Sequence, residues 1–475
     1  MKKIFVSCMF ILLCNQVFFA QYSFSGIRTS KRAGILGATI NPAELANMPQ
    51  KVDVHFVGFD LNLANNVMNL TPSSIGNLDS FVDRYLNKVS PEGFTFRINM
   101  DVMGPGVACA INDKMTAGLF TRARLQMAMN NLDIVTARAL ARSETIENAT
   151  LPYTTPTINN MSMNLVGWTE IGGSFAMNLY NSKEHSFSGG ASIKALFLGG
   201  YANAFLTNFK ATIDTAAGGN VRISNGSGEI GMEHTGSNDP LEDLGSNFMG
   251  SPKGIGFDIG ATYQYKDKKT GEYILKLGAS IVDIGTMSAS MNAQNSRSFR
   301  INPITNFDPT TIQGDNMDEI INNIKASGIA TEVPIDSVQT INLPSAFNLT
   351  ADWNVWKSFY LTTHVQRPMT KRDNPRSLIA PDFICFTPRI SFRVFEAYMP
   401  LSFSSLQGTT LGLGVKLGPV YFGTGSFLSA MFSENNKAVD FHFGFRAGFG
   451  NRKRKNSTES LAAPAKTERP TKVAN

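Results

Sequence analysis

Any chemistry in this chain must come from a thin set of residues. Its five histidines (His55, His185, His234, His364 and His442) are scattered, with no two at metal-ligand spacing. The patterns G-x-S-x-G, C-x-x-C, H-E-x-x-H and the phosphate loop do not occur, so no enzyme class, cofactor or metal is implied. Gly254-Ile255-Gly256 opens an alternating stretch and not a helix, which excludes a dinucleotide loop. A serine and a histidine on neighbouring strands, as in a lipid-hydrolysing barrel, would leave no local signature. What stands out is a group of arginines: Arg97, Arg122, Arg124, Arg389, Arg393 and Arg446, with Asp101, Glu170 and Asp440 available as partners. Two chemistries fit them. They could grip a carboxylate or phosphate headgroup through paired hydrogen bonds, or neutralise acids in a filled interior.

The segments carrying these arginines have a period of two. From Phe94 to Val102, Phe94, Phe96, Ile98, Met100 and Val102 share one face, and Thr95, Arg97, Asn99 and Asp101 the other. Ile384, Phe386, Ile390, Phe392 and Val394 likewise oppose Thr387, Arg389, Ser391 and Arg393. The last such segment sets Phe441, Phe443, Phe445, Ala447 and Phe449 against Asp440, His442 and Arg446. Fourteen strands are expected, near 52–65, 94–110, 115–130, 161–180, 186–204, 254–266, 272–291, 345–355, 358–366, 382–395, 397–405, 409–417, 419–427 and 438–449, with 12–16 as the range.

Alternation alone would also suit a soluble sandwich; the connections decide. Tight turns such as Asn112-Asp113-Lys114 alternate with long inserts, the longest spanning roughly 292–344. That asymmetry belongs to an all-β transmembrane antiparallel β-barrel, with long extracellular loops and short periplasmic turns. Composition agrees. Charged residues make up 17% of the 475 and Phe contributes 34, as expected of a chain that turns an apolar band to lipid. Trp168, Trp353, Trp356, Tyr360 and Tyr421 are expected at the membrane interfaces.

Export is expected too. Lys2 and Lys3 precede the apolar stretch Ile4–Leu13, and cleavage is expected after Ala20, although Phe18 is large for the −3 position. Leu13 argues against Cys14 as a lipoprotein cysteine. Residues 1–20 are thus read as a signal peptide, 21–50 as an N-terminal segment, 51–450 as the barrel and 451–475 as a disordered basic periplasmic tail. Cleavage would leave Cys109 and Cys385, read as unpaired buried thiols rather than a bridge. Amphipathic helices are expected over Leu78–Val89 and Met317–Ile324, the second capped by Asp315. Gly104-Pro105-Gly106 should break its strand as a bulge or kink, opening a lateral gap or only bending the wall.

Gly37-Ala38-Thr39-Ile40-Asn41-Pro42-Ala43-Glu44-Leu45-Ala46, just ahead of the first strand, resembles the N-terminal segment of FadL-type hydrocarbon transporters and of related barrels in the type IX secretion apparatus. More narrowly, the chain resembles a Bacteroidota family of FadL-like outer-membrane proteins, a domain of unknown function. Gly167–Glu170, Leu277–Gly285, Leu343–Leu349 and Leu411–Pro419 carry that likeness. The resemblance implies a hatch inside the lumen over roughly residues 22–50, including Asn41, Pro42 and Ala43. FadL proteins kink in the third strand, whereas here only Gly118 lies near its start. The expected function is a channel or binding protein for a hydrophobic or amphiphilic molecule. The alternative is a non-transporting scaffold or partner subunit of an outer-membrane secretion or surface-attachment complex. Expected partners are outer-membrane lipids, a hydrophobic ligand and secretion-system proteins.

Nucleic acid is excluded by where the charge lies. The formal net charge is +6, but residues 21–450 hold 34 basic against 35 acidic residues, a net of −1. The excess sits in the two ends of the chain.

Overall fold

The alternating segments pair side by side until the last meets the first. The structure, a computed structural model, describes residues 23–71, 93–142, 150–155, 161–215, 220–236, 250–293, 296–314, 317–370 and 374–452, without the side chains of 140–142, 317 and 318. Fourteen antiparallel strands form a closed wall. They are β1 (Gln50–Asn65), β2 (Phe94–Ala110), β3 (Met115–Leu132), β4 (Met161–Asn181), β5 (His185–Thr215), β6 (Gly254–Lys266) and β7 (Tyr273–Ser290). The second half comprises β8 (Ala346–Trp356), β9 (Phe359–Pro368), β10 (Phe383–Ser391), β11 (Phe395–Ser404), β12 (Gly408–Leu417), β13 (Val420–Thr424) and β14 (Ala438–Asn451). β11 lapses at Met399-Pro400 and β12 at Gly412, where proline has no amide to give. β1 bonds β14 from Gln50↔Asn451 to Ala64↔Ala438, so no edge is left open.

Burial follows the period of two. On β14, Phe441, Phe443, Phe445 and Phe449 are exposed outward, while Asp440, His442 and Arg446 are buried inside. Leu119, Phe175, Ile193, Phe257, Ile259 and Phe403 continue the outward apolar surface around the wall. Exposed phenylalanine at this density is stable only against lipid, and closure satisfies the backbone there. Connections 111–114, 182–184, 267–272, 357–358, 392–394 and 418–419 gather at one end, and at the other all but 405–407 are long. This is the build of an outer-membrane barrel, a class in which the short turns face the periplasm.

Several expectations need correction. β10 ends at Ser391 and 392–394 is a turn, so Arg393 is exposed on it and does not face the lumen. Trp168, Tyr360 and Tyr421 are buried indoors, not at the interfaces, because polar partners await their N–H and O–H groups; Trp353 and Trp356 do face outward. Cys109 is exposed and only Cys385 is buried; neither forms a disulfide. Asn451 is still in β14, and Arg452 bonds Thr116 Oγ1 at 2.9 Å and Asn112 O at 2.8 Å, so ordered structure runs past 450. The helix Met317–Ser327 is present, packing Ile321 and Ile324 on Phe299. Asp315, the Leu78–Val89 helix, the signal segment and residues 453–475 lie outside the described residues.

At the long-loop end β5, 31 residues long, outruns its neighbours. Its upper half pairs with the strand Val221–His234, which carries Arg297–Ile301 and then Ala330–Val333 on its other side.

Candidate functional site

The lumen is the candidate site, and residues 23–49 fill the half nearest the short turns. Two positive-φ glycines, Gly26 (81°) and Gly34 (58°), turn this segment tightly enough to coil inside the barrel. A helical turn, Ile35–Ala38, and a 3-10 helix, Pro42–Asn47, follow. Asn41 caps the second with Oδ1 on the Ala43 amide at 3.0 Å. Its Nδ2 donates to Ala261 O on β6 at 3.1 Å, so one side chain both starts the helix and seats it on the wall. The wall makes room with glycines: a Cβ on Gly190 would lie 2.5 Å from the Ala43 amide, and one on Gly260 would lie 2.2 Å from Asn41 Oδ1.

Polar latches then fix the segment. Asp53 Oδ1 accepts from the Ile35 amide at 3.0 Å, and Asp60 Oδ2 accepts from the Phe24 amide at 2.6 Å. Lys276 pairs with Glu44 at 2.7 Å, Ser280 donates to Ile40 O at 2.6 Å, and Ser30 donates to Glu396 at 2.9 Å. Between latches, Phe24, Ile27, Ile35, Leu36 and Leu45 pack on Met103, Phe120, Tyr398 and Tyr421 of the wall. Burying five such side chains is worth about 7–15 kcal/mol gross. The segment therefore does not drift out unaided.

Above it, charged groups from six consecutive strands form a belt. Arg122 on β3 grips Asp101 on β2 in two bonds, 2.8 and 2.5 Å. Arg124 reaches Glu170 on β4 at 3.1 Å and Asp283 on β7 at 2.8 Å. Lys194 on β5 joins Asp283 at 2.5 Å to Asp258 on β6 at 2.7 Å. Trp168 donates Nε1–H to Glu170 at 2.8 Å and lies under the Arg124 guanidinium, 4.7 Å from its ring. Three cations meet four carboxylates, nearly all of them shielded from solvent.

The remaining arginines divide. Arg389 is held by Asp352 at 2.9 Å and donates to Thr29 O, tying wall to inner segment; Asp352 also accepts from Tyr273 and Thr362. Arg446 pairs with Asp53 at 2.6 Å. Arg97 is buried on the inner face of β2, away from the belt. Asp440, expected to meet an arginine, instead accepts from Ser426 Oγ and the Gly425 amide. Asp53, Lys194, Asp258, Asp283 and Asp352 were not anticipated. A charged residue inside an apolar alternating run, as Asp283 sits between Val282 and Ile284, is the signal that could have found them.

Over the belt, the β9–β10 connection dips inward. Leu378 packs with Val166, Trp168, Leu196, Tyr201, Met287 and Leu343, while Gln126 on β3 donates to Ile379 O at 3.2 Å across the lumen. Arg376 anchors this loop to Glu233 with bonds of 2.8 and 3.0 Å.

Gly104-Pro105 does interrupt β2. Pairing with β3 skips from Met103↔Arg122 to Gly106↔Phe120, and pairing with β1 skips from His55↔Gly106 to Gly58↔Met103. The interruption is closed rather than open: Thr121 Oγ1 donates to Pro105 O at 3.0 Å, and His55 bridges Gly104 O and Tyr421 Oη, both at 3.1 Å.

Solved structures with a similar course of chain include a TodX monoaromatic hydrocarbon channel lacking S2 and S3 (9% identity, TM-score 0.43, 88% of this chain and 95% of that one). A Pseudomonas aeruginosa FadL homologue matches at 9% identity and TM-score 0.39, over 90% and 98%. The Pseudomonas putida toluene transporter TodX matches at 10% and 0.33, over 91% and 98%. The fold assignment rests on the closed strand ladder and not on these likenesses. None of the curated proteins matches the chain. The model of DUF5723, a family of unknown function, matches residues 42–425, from the Asn41-capped helix to β13, and the chain belongs to that family.

Proposed function

We propose that this protein is a gated outer-membrane barrel that binds a hydrophobic or amphiphilic molecule, with residues 23–49 as its hatch, centred on Asn41, Pro42 and Ala43. One observation carries the reading. The chamber above the belt accommodates apolar matter, and its present occupant is the protein's own Leu378. A molecule with an apolar body and a polar head would replace that loop, lying against Val166, Leu196 and Met287 with its head towards Arg124 and Lys194. The loop and the hatch are then two gates in series, with the belt between them.

A second reading, a sealed scaffold or partner subunit in a larger outer-membrane complex, is favoured by the completeness of the belt. Its cations are already paired within the protein. Purification from the native membrane followed by mass spectrometry of everything retained distinguishes the two. Co-purifying lipid-like molecules, released by Leu378→Trp, which overfills the chamber, are expected. Stoichiometric protein partners without any such molecule would sink the binding reading.

A further inference from the structure

We propose that the periplasmic mouth is a docking surface for an acidic, extended segment of a periplasmic protein, gripped across the seam between hatch and wall. Two adjoining hollows of about 410 and 460 Å³ open at the short-turn end, sharing Arg32 and Pro49 of the inner segment. Eleven lysines and arginines line them against one carboxylate, Glu272. Internal pairs account for some of these: Arg446 has Asp53, Lys276 has Glu44 and Lys268 has Glu184. Others have no acid. Arg32 has a buried Nε without a hydrogen-bond partner, and its guanidinium meets no carboxylate among the described residues. Arg393, on the 392–394 turn, also makes no ion pair among them, and Lys416 donates only to Gly418 O, at 2.7 Å.

Position selects the occupant. Arg32 belongs to the inner segment, while Lys416 and Arg446 face inward from the wall and are nine-tenths buried. Lipid headgroups lie outside that wall, so the ligand enters end-on from the periplasm. A folded domain is too wide for hollows of this size, whereas an extended chain with closely spaced carboxylates fits. The protein's own tail is excluded by its charge, since residues 453–475 hold six Lys and Arg against two Glu. An anion bridging Arg32 to Arg393 would touch hatch and wall at once, and a partner arriving there would act on the hatch directly. This holds whether or not the chamber above binds an amphiphile.

The test uses the full chain in detergent and a fluorescent oligoglutamate peptide of about ten residues, with a Gly/Ser peptide of equal length as the neutral control. Saturable binding is expected for the acidic peptide alone, weakening steeply between about 50 and 300 mM salt. Arg32→Gln combined with Arg393→Gln should weaken it about tenfold or more, while the barrel stays heat-modifiable on gels. Lys183→Gln combined with Lys269→Gln, on turns where folding is indifferent, should give a smaller loss. Unchanged affinity in the first double variant overturns the proposal. So does binding that vanishes only when residues 453–475 are removed, which would assign it to the tail. Displacement of the peptide by phosphatidylglycerol, with native mass spectrometry showing that lipid held by wild type and lost from the variant, would make the site a lipid site instead.

Discussion

Asp53→Ala should unlatch the hatch. The Asp53 side chain is fully buried and accepts from the Ile35 amide at 3.0 Å, from Gln50 at 3.0 Å and from Arg446 through Nε at 2.8 Å and Nη2 at 2.6 Å. Truncation strands Arg446, 4% exposed, with no other carboxylate in reach among the described residues. Breaking a buried pair from one side costs about 3–5 kcal/mol, and the water-accessible hollow beside Arg446 favours the lower figure. At about 3 kcal/mol the population with the latch open rises roughly a hundredfold. Hydrogen exchange followed by mass spectrometry should show the Ile35 amide exchanging faster by about that factor, since exchange tracks local opening. The Phe24 amide, bonded to Asp60, reports whether the hatch moves as a unit: if it does, both amides accelerate. Asp53→Asn, which keeps an acceptor for Ile35, should fall between. Asp53→Leu with Arg446→Met removes both charges and should recover much of the loss. If Ile35 exchange in Asp53→Ala stays within about twofold of wild type, the latch reasoning is wrong.

Three further outcomes are expected. Asp283→Leu leaves Arg124 and Lys194 with one carboxylate each, so the gel-unfolding temperature should fall by an amount corresponding to about 2–3 kcal/mol, and an unmoved midpoint would show the belt to be ornamental. Gly34→Ala places a methyl 2.0 Å from Asp53 Oδ1 at a φ of 58°, so it should loosen the same latch and raise Ile35 exchange, although no charge changes. Deleting 453–475 should leave the barrel heat-modifiable; loss of that behaviour would give the tail a part in assembly.

The fold was legible because lipid enforces a simple rule. Each membrane-facing position must be apolar and each backbone group must pair within the wall, so Phe441, Phe443 and Phe445 announce β14 by themselves. Strand parity points Arg97, Arg122, Arg124, Arg389 and Arg446 inward, and in the structure their side chains lie inside the wall. It failed for Arg393, because three residues of turn after Ser391 continue the alternation in sequence while ending it in space. Partners were illegible for a geometric reason. Arg124 meets Asp283 from a strand four places around the barrel, and Arg389 meets Thr29 O from a segment 360 residues away. Such pairings depend on barrel radius and stagger, which no local pattern encodes. Tyr360 and Tyr421 misled for a related reason: at a strand end, an aromatic with a polar tip suits a lipid interface and a buried hydrogen bond equally well, while Trp168 lies in the interior of β4, where its N–H meets Glu170.

The two gates differ in cost, and the difference orders events. Five large apolar side chains and a set of charge-assisted latches hold the hatch, about 7–15 kcal/mol from burial alone. The loop is pinned less heavily. Leu378 and Ile379 are its large buried side chains, together worth about 3–6 kcal/mol, with the Arg376–Glu233 pair, buried at the carboxylate and partly exposed at the guanidinium, adding about 1–3 kcal/mol more. On the binding reading, a molecule arriving from outside displaces the loop first, because its own apolar surface replaces the contact that Leu378 gives up. Passage further down is not offset in this way, since the belt and hatch lose bonds that an apolar body cannot replace. Release below then requires an input at the periplasmic mouth, where Arg32 lies on the hatch and Arg393 on the wall. If both proposals hold, such a barrel would fill from outside and stay full until an acidic segment arrives beneath it.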